Sequence, residues 1–259
     1  MPATDLPLLV DAARMAGRVA ASFVGPSAAR WDKPDDAGPV TEADIAVNDI
    51  LMSNLRTARP DYGWLSEETE DTTDRLAQDT VFIIDPIDGT RSFVEGSRTW
   101  AISIAVARQG QITAAAIFLP LRDKMYAAGL GKGSTLNGKP VRVAIGDPNS
   151  PAKVLAARPN LDARNWPGGL PTLDRHYRPS LAYRLSLVGE GRFDGMITLR
   201  ASWEWDIAAG ALIVAEAGGS ITDRTGAPLR FNNPNPKLNG VVAAASPLHR
   251  DLVTRLAPA

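Results

Sequence analysis

The stretch Val81–Phe93, VFIIDPIDGTRSF, constrains this chain more than any other. Val81, Phe82, Ile83 and Ile84 form a short apolar run rich in β-branched residues, which predicts a buried strand. Asp85, Pro86, Ile87, Asp88, Gly89 and Thr90 follow at once. The strand is therefore expected to end in a loop stiffened by Pro86, with Gly89 allowing a turn or a close backbone approach. In open α/β sheets, ligands collect outside the carboxyl ends of strands. Asp85 and Asp88 can converge on one point there, and a hard divalent cation with oxygen ligands relieves their repulsion. On these residues alone, an Asp-Pro turn followed by an Asp-Gly turn reads equally well.

Composition narrows the chemistry. The 259 residues are enough for one large domain or two smaller ones sharing a core. The absence of cysteine removes disulfides, thiolate metal sites and cysteine nucleophiles, and suits a reducing cytosol. Two histidines supply little imidazole chemistry, and 28 Lys and Arg against 29 acids give no net field for nucleic acid or an anionic membrane. An anionic substrate must be captured locally. No basic start leads into an apolar run, and no stretch reaches the roughly 18 apolar residues a membrane span needs. The expectation is a cytoplasmic protein with neither a membrane nor a nucleic-acid partner.

Helical spacing predicts a helix over Leu6–Phe23, stopped by Gly25-Pro26, and Trp31–Pro39 reads as a loop. Thr41 is a good N-cap with Asp44 at the capping-box position, opening a second helix through Leu55. Tyr62–Leu65 reads as a strand ending at Ser66, Glu67 and Glu68. Trp100–Arg108 and Ile112–Leu119 predict a hairpin. Met125–Ala128 and Val141–Ala144 read as strands with Asn137-Gly138 turning between them. Residues 146–151, GDPNSP, are the expected boundary between an N-terminal half, 1–146, and a C-terminal half, 147–259. Beyond it lie a strand over Lys153–Ala157, a loop over Asn165–Pro171, a helix over Leu181–Glu190 and a strand over Gly195–Leu199. An Ala-rich helix over Asp206–Ala217 closed by Gly218-Gly219, a strand at Val241–Ala244 and a helix from Leu248 follow. Mixed elements in both halves predict a layered α/β or α+β architecture.

Three acidic groups fall at element ends: Glu67-Glu68, Asp85 with Asp88, and Asp206. Each has a plain alternative. Glu67-Glu68 opens an acid-rich run of the kind that usually faces solvent. Asp206 suits a helix N-terminus, and Asp44 suits its cap. Together the acids carry more: four carboxylates that meet need cations, and two or more Mg²⁺ ions so held need a hard-oxygen partner, for which phosphate is the obvious choice. Gly89 and Thr90 can offer backbone N–H groups to a phosphate, and Thr90 can relay a water's proton to a carboxylate such as Asp44. Metal-activated water is then more economical than a covalent route.

These residues resemble the lithium-sensitive, Mg²⁺-dependent phosphatases related to inositol monophosphatase. The pattern D-P-[IL]-D-G-T-x-x-F is matched by Asp85–Phe93 and V-T-x-x-D by Val40, Thr41 and Asp44. The E-E pair is matched by Glu67 and Glu68, and W-D-x-A-A with E-A-G-G by Trp205–Ala209 and Glu216–Gly219. The resemblance covers nearly the whole chain in order. It implies an α-β-α-β-α sandwich, usually a homodimer, acting on a small phosphorylated metabolite. It also implies that Glu67, Asp85 and the Ile87 carbonyl hold one Mg²⁺, and Asp85, Asp88 and Asp206 a second. A third, weaker ion would sit against Glu67 and Asp44. Asp44, Glu67 and Thr90 become catalytic, and the Gly89 and Thr90 amides bind the phosphate.

The wording around the site bears on substrate. Where inositol monophosphatases place an acid that grips inositol hydroxyls, seven residues before the second aspartate, this chain has Leu199. The L-S-E-E and E-W-D-x-A-A-G segments look more like 3′(2′),5′-bisphosphate nucleotidases, which release phosphate from adenosine 3′,5′-bisphosphate. Their G-S-S-L-K segment aligns with Ser180–Arg184, which keeps only the terminal basic residue. Arg184 is the candidate for a second phosphate, with an exposed helical arginine as its plain alternative. Inositol-1-monophosphatase, histidinol-phosphate phosphatase, a sugar bisphosphatase and a regulatory relative acting through protein contacts are the other readings. Trp203 and Trp205 are expected in the core or the site wall. Trp31 and Trp166 fall in loops, where either can cover the substrate mouth. His176 and His249 are expected at the surface.

Overall fold

Apolar residues at helical spacing fold the first described segment into α1 (Asp5–Ser22), which buries Leu9, Ala12, Ala13, Ala16 and Ala20. Small residues let α1 lie close on the neighbouring sheet, since a Cβ on Gly17 would stand 2.6 Å from the Phe118 ring. The computed structural model describes residues 5–23, 30–32, 39–147 and 149–256. Strands β1 (Arg30–Asp32) and β2 (Pro39–Thr41) pair antiparallel, so Trp31, Asp32 and Pro39 of the expected loop are strand residues; 33–38 and Gly25-Pro26 lie outside the described residues. Trp31 is half exposed. Thr41 caps α2 (Glu42–Ala58) with the full reciprocal capping box to Asp44.

The next elements build a seven-stranded sheet. They are β3 (Gly63–Ser66), β4 (Thr80–Asp88), the single-turn helix α3 (Thr90–Val94), β5 (Ala101–Arg108), β6 (Gln111–Leu119), β7 (Lys124–Gly129), β8 (Gly133–Leu136) and β9 (Lys139–Pro140). Strand order follows chain order from β3 to β9, with β3 and β4 parallel and the rest antiparallel. Asn137 and Gly138 turn β8 into β9 with φ of 49° and 77°, the pair of left-handed residues that tight hairpins require. Val141–Ala144 is not a strand: the ladder ends at Pro140, and Val143 N–H instead donates to Ala217 O at 3.1 Å.

After residue 147 the chain forms β10 (Ala152–Ala156), β11 (Leu173–His176), α4 (Leu181–Gly189), β12 (Gly195–Thr198) and β13 (Ser202–Trp203). Then come α5 (Glu204–Glu216), β14 (Ser220–Thr222), β15 (Lys237–Leu238), β16 (Val241–Ala244) and α6 (Ser246–Arg255). Five of the strands make a second sheet in the order β11-β10-β12-β16-β14, while β13 pairs with β15.

Strand alternation assigns the layers. Phe82 and Ile84 of β4 pack with α1 and α2, whereas Val81 and Ile83 face α4 and α5. The far side of α4 and α5 meets Leu155, Met196, Val241 and Ala243 of the second sheet, whose other face carries α6 through Leu252 and Leu256. The order is α-β-α-β-α, as expected. Helices α4 and α5 are apolar nearly all round because both of their faces are covered.

Two aromatic expectations change. Trp166 covers no mouth: it is buried beside Ile197 and Val242, with Nε1–H donating to Asn160 O at 2.9 Å. His249 is buried rather than superficial and meets Thr222 Oγ1 at 2.9 Å, whereas His176 stays partly exposed beside Asp174. The Glu216 of E-A-G-G is a strut, accepting Gly131 N–H and Gly133 N–H at 2.8 Å each.

Candidate active site

A regular strand points residues 85 and 88 to opposite faces. Here β4 bulges against β5, with Asp85 opposite Ser103 and Asp88 opposite Ala101, so three steps on one strand match two on the other. Pro86, which has no N–H for the ladder, sits in that bulge. The phase reset keeps Ile84 and Ile87 on the α1/α2 face and sends both aspartates to the other. There α5 delivers Asp206 in its first turn. Ligand oxygens of Asp85, Asp88 and Asp206 all lie within 4.8 Å of one another. Glu67 N–H donates to Ile84 O at 3.2 Å, extending the β3–β4 pairing and bringing Glu67 beside Asp85.

Asp88 Oδ2 accepts Ser180 Oγ–H at 2.5 Å and Ala182 N–H at 2.6 Å. One oxygen of Asp88 is thus committed to the start of α4, and the other is left to the cluster. Asp85 Oδ1 is buried without a hydrogen-bond partner. Desolvation first, then the charges of Glu67, Asp88 and Asp206, push the Asp85 carboxyl well above its ordinary range. Asp206 rises likewise through desolvation, Asp88 and Glu67, with Arg200 opposing. Burial pushes Asp88 up to about 6, although Ser180, the Ala182 amide and Arg184 oppose it. An unpartnered carboxylate oxygen among all-oxygen donors of one sign fits a hard divalent cation.

At the other edge, Asp44 Oδ2 accepts Thr41 N–H at 2.8 Å and Thr41 Oγ1–H at 2.6 Å. Its Oδ1 accepts Thr90 Oγ1–H at 3.3 Å, and the same hydroxyl lies 3.2 Å from Ile87 O. Gly89 takes φ of 99°, a left-handed conformation suited to glycine, and so starts α3 at Thr90. The Gly89 and Thr90 amides therefore open this single turn.

Arg184 is not the exposed helical arginine of its plain alternative. It is 5 % exposed, donates from Nε to Arg178 O and from Nη2 to Pro179 O at 3.3 Å, and stands over the Tyr177 ring at 4.5 Å. Its positive charge acts on Asp88. Arg200, which also acts on Asp206 and Arg184, was missed by the sequence reading, as was Ser180 as a partner of Asp88. Leu199 packs in the core with Ile197 and Trp166. Glu204 is fully buried and turns away from the cluster to Asn232 and Asn233. Trp205 is buried and stacked on half-exposed Trp203, with ring centroids 4.6 Å apart.

Five alternating layers place a carboxylate cluster that could hold a metal where strand and helix ends meet. The match between the chain and the inositol monophosphatase family model runs over residues 3–259. The chain belongs to that family. It is 37 % identical over 203 residues to an inositol-1-monophosphatase of Rhizobium meliloti (strain 1021), covering 72 % of this chain and 73 % of the relative. It is 30 % identical over 254 residues to the Nus factor SuhB of Escherichia coli (strain K12), covering 93 % and 91 %. Among solved structures, extragenic suppressor protein suhB of Bartonella henselae superposes with a TM-score of 0.83 at 29 % identity, covering 97 % of this chain and 98 % of that one. An IMPase of Thermotoga maritima gives 0.82 at 26 % identity, covering 97 % and 96 %. No described helix is long and apolar enough to cross a membrane.

Proposed function

We propose that this chain is a Mg²⁺-dependent phosphomonoesterase whose substrate carries a second anionic group, a 3′(2′),5′-bisphosphate nucleotide being the best fit. The observation that carries the second part is Arg184: a buried guanidinium, oriented by two backbone carbonyls and Tyr177, acting on the carboxylate of Asp88. Such a pre-oriented fork suits a phosphate better than a neutral polyol. Leu199, facing the core, offers inositol hydroxyls no acceptor.

Glu67, Asp85, the Ile87 carbonyl and Asp88 with Asp206 are the residues that would hold the cations. When bound, divalent cations supply charge neutralisation to the phosphoryl group and acidify a water. The chain's own part is positional. Asp44 takes the Thr90 proton in its hydrogen bond, which leaves the Thr90 oxygen free to accept from a water and orient it. The Gly89 and Thr90 amides receive phosphate oxygens. Labour divides near residue 146, with most of the metal ligands before it and Asp206 and Arg184 after it.

The name of the R. meliloti relative favours a second reading, inositol-1-monophosphatase. The comparison that separates them is kcat/KM for adenosine 3′,5′-bisphosphate beside inositol 1-phosphate, with Mg²⁺ and with or without Li⁺. A preference for the nucleotide, lost with Li⁺, supports the proposal, and a preference for inositol 1-phosphate overturns it. Turnover of neither favours action through protein contacts.

A further inference from the structure

The candidate metal ligands come from two separate parts of the chain. Glu67, Asp85 and Asp88 belong to the seven-stranded sheet and its edge, whereas Asp206 arrives on α5. Something other than the cation must hold those parts in register, because like charges drive them apart.

The structure contains a polar connection suited to that task, and it does not touch the cluster. Arg75, its side chain 1 % exposed, donates to Asp71 in the bidentate manner, Nε to Oδ1 at 3.0 Å and Nη2 to Oδ2 at 2.7 Å. Asp71 lies four residues beyond Glu67. The same guanidinium reaches across to Asn232 Oδ1 at 2.6 Å and to Asn233 O at 2.9 Å. On the other side of that strap, Glu204 Oε2 accepts Asn232 N–H at 2.6 Å. Its Oε1 accepts Asn233 N–H at 2.9 Å and Asn233 Nδ2–H at 2.6 Å. Glu204 N–H closes the clasp on Pro236 O at 2.9 Å. Asn232 adopts φ of 62°, presenting two successive N–H groups to one carboxylate.

Glu204 and Asp206 share the first turn of α5 but lie about 200° apart around its axis, so one faces the strap while the other faces the cluster. A displacement of Glu204 moves Asp206 with it. We propose that Arg75 and Glu204, joined through Asn232 and Asn233, are positioning residues that fix Asp206 against the Glu67 loop and so preform the divalent-cation site. The buried carboxylate and guanidinium share charge-assisted bonds to one short segment, and removing either leaves polar groups unpaired. This inference rests on the metal-dependent reading of the site.

The test is Mn²⁺ binding to the full-length metal-free protein, read from the fall of the free-ion electron paramagnetic resonance signal, together with the melting temperature without metal. Glu204→Gln keeps the volume but sets an amide donor against a backbone donor. Arg75→Met removes the guanidinium. Each is expected to weaken Mn²⁺ by about tenfold or more, the range known for residues that orient metal ligands. The double variant should be little worse than either alone, because both break one connection. Should Glu204→Gln not fold, Asn233→Ala removes one of the three donors to Glu204, together with a bond to Arg230 O, and should weaken Mn²⁺ in the same direction. Wild-type affinity in folded variants with lowered melting temperatures overturns the positioning role. Absence of Mn²⁺ binding by the wild-type protein overturns the metal reading itself, a different result.

Discussion

Asp44 Oδ1 accepts the Thr90 hydroxyl at 3.3 Å while Oδ2 completes the capping box with Thr41. One carboxylate therefore completes the capping box of Thr41 and accepts the hydrogen bond of Thr90. In Asp44→Asn the remaining oxygen can keep the cap, which turns the amide nitrogen toward Thr90 as a donor. Turnover is expected to fall about 10²-fold or more, with a stability change near 1 kcal/mol or less. Steady-state kinetics beside a thermal melt check this; a large loss of stability with kcat retained contradicts it.

Asp88→Asn removes a charge from the cluster but leaves an oxygen for the start of α4. Activity should be lost, while the metal-free melting temperature stays level or rises because a repelling buried charge has gone. Melts with and without Mg²⁺ should show the metal-induced gain in the wild type and its absence in the variant.

The three clustered aspartates have raised pKa values, Asp88 at about 6. For Asp88, the folded metal-free protein binds more protons than the unfolded chain between about pH 4 and its own value of about 6. Stability from this group is thus full below the window and falls as pH rises through it. Cations bind the deprotonated carboxylates, so the Mg²⁺-induced gain in melting temperature should grow with pH across the same interval. An equal gain at about pH 5 and about pH 7.5 contradicts the assignment.

Arg184→Met should lower kcat/KM for adenosine 3′,5′-bisphosphate by about tenfold or more, the worth of a lost charge-assisted contact, and far less for a simple phosphomonoester. Equal losses on both substrates would assign Arg184 to holding Arg178 and Pro179 alone.

Glu216→Ala frees two backbone N–H groups of the β7–β8 turn. It should destabilise the protein by about 1–3 kcal/mol without changing kcat, measured by urea unfolding and initial rates.

Much of the site was legible because its chemistry is local in sequence. Asp85, Asp88, Gly89 and Thr90 fall within six residues, at the end of β4 and the start of α3 where a loop was expected, and Asp44 is set by its own capping box. What spacing could not show is the bulge at Pro86 that turns both aspartates to one face. Nor could it show that α4 is covered on both sides, which makes Arg184 a buried residue; a helix apolar all round has no polar stripe to mark an outside. The clasp of Glu204 was not legible because its partners, Asn232 and Asn233, lie 28 and 29 residues away. Val141–Ala144 carries the alternation of a strand, but pairing depends on a neighbour, and after one bond from Val141 N–H to Ser134 O the chain leaves β8.

The most direct measurement is phosphate release from adenosine 3′,5′-bisphosphate by protein stripped of metal with EDTA and then titrated with Mg²⁺. No release before Mg²⁺ and a saturable rise with it, absent in Asp88→Asn, is the outcome the cluster of Asp85, Asp88 and Asp206 predicts. Undiminished release in EDTA, or full activity in Asp88→Asn, would contradict it.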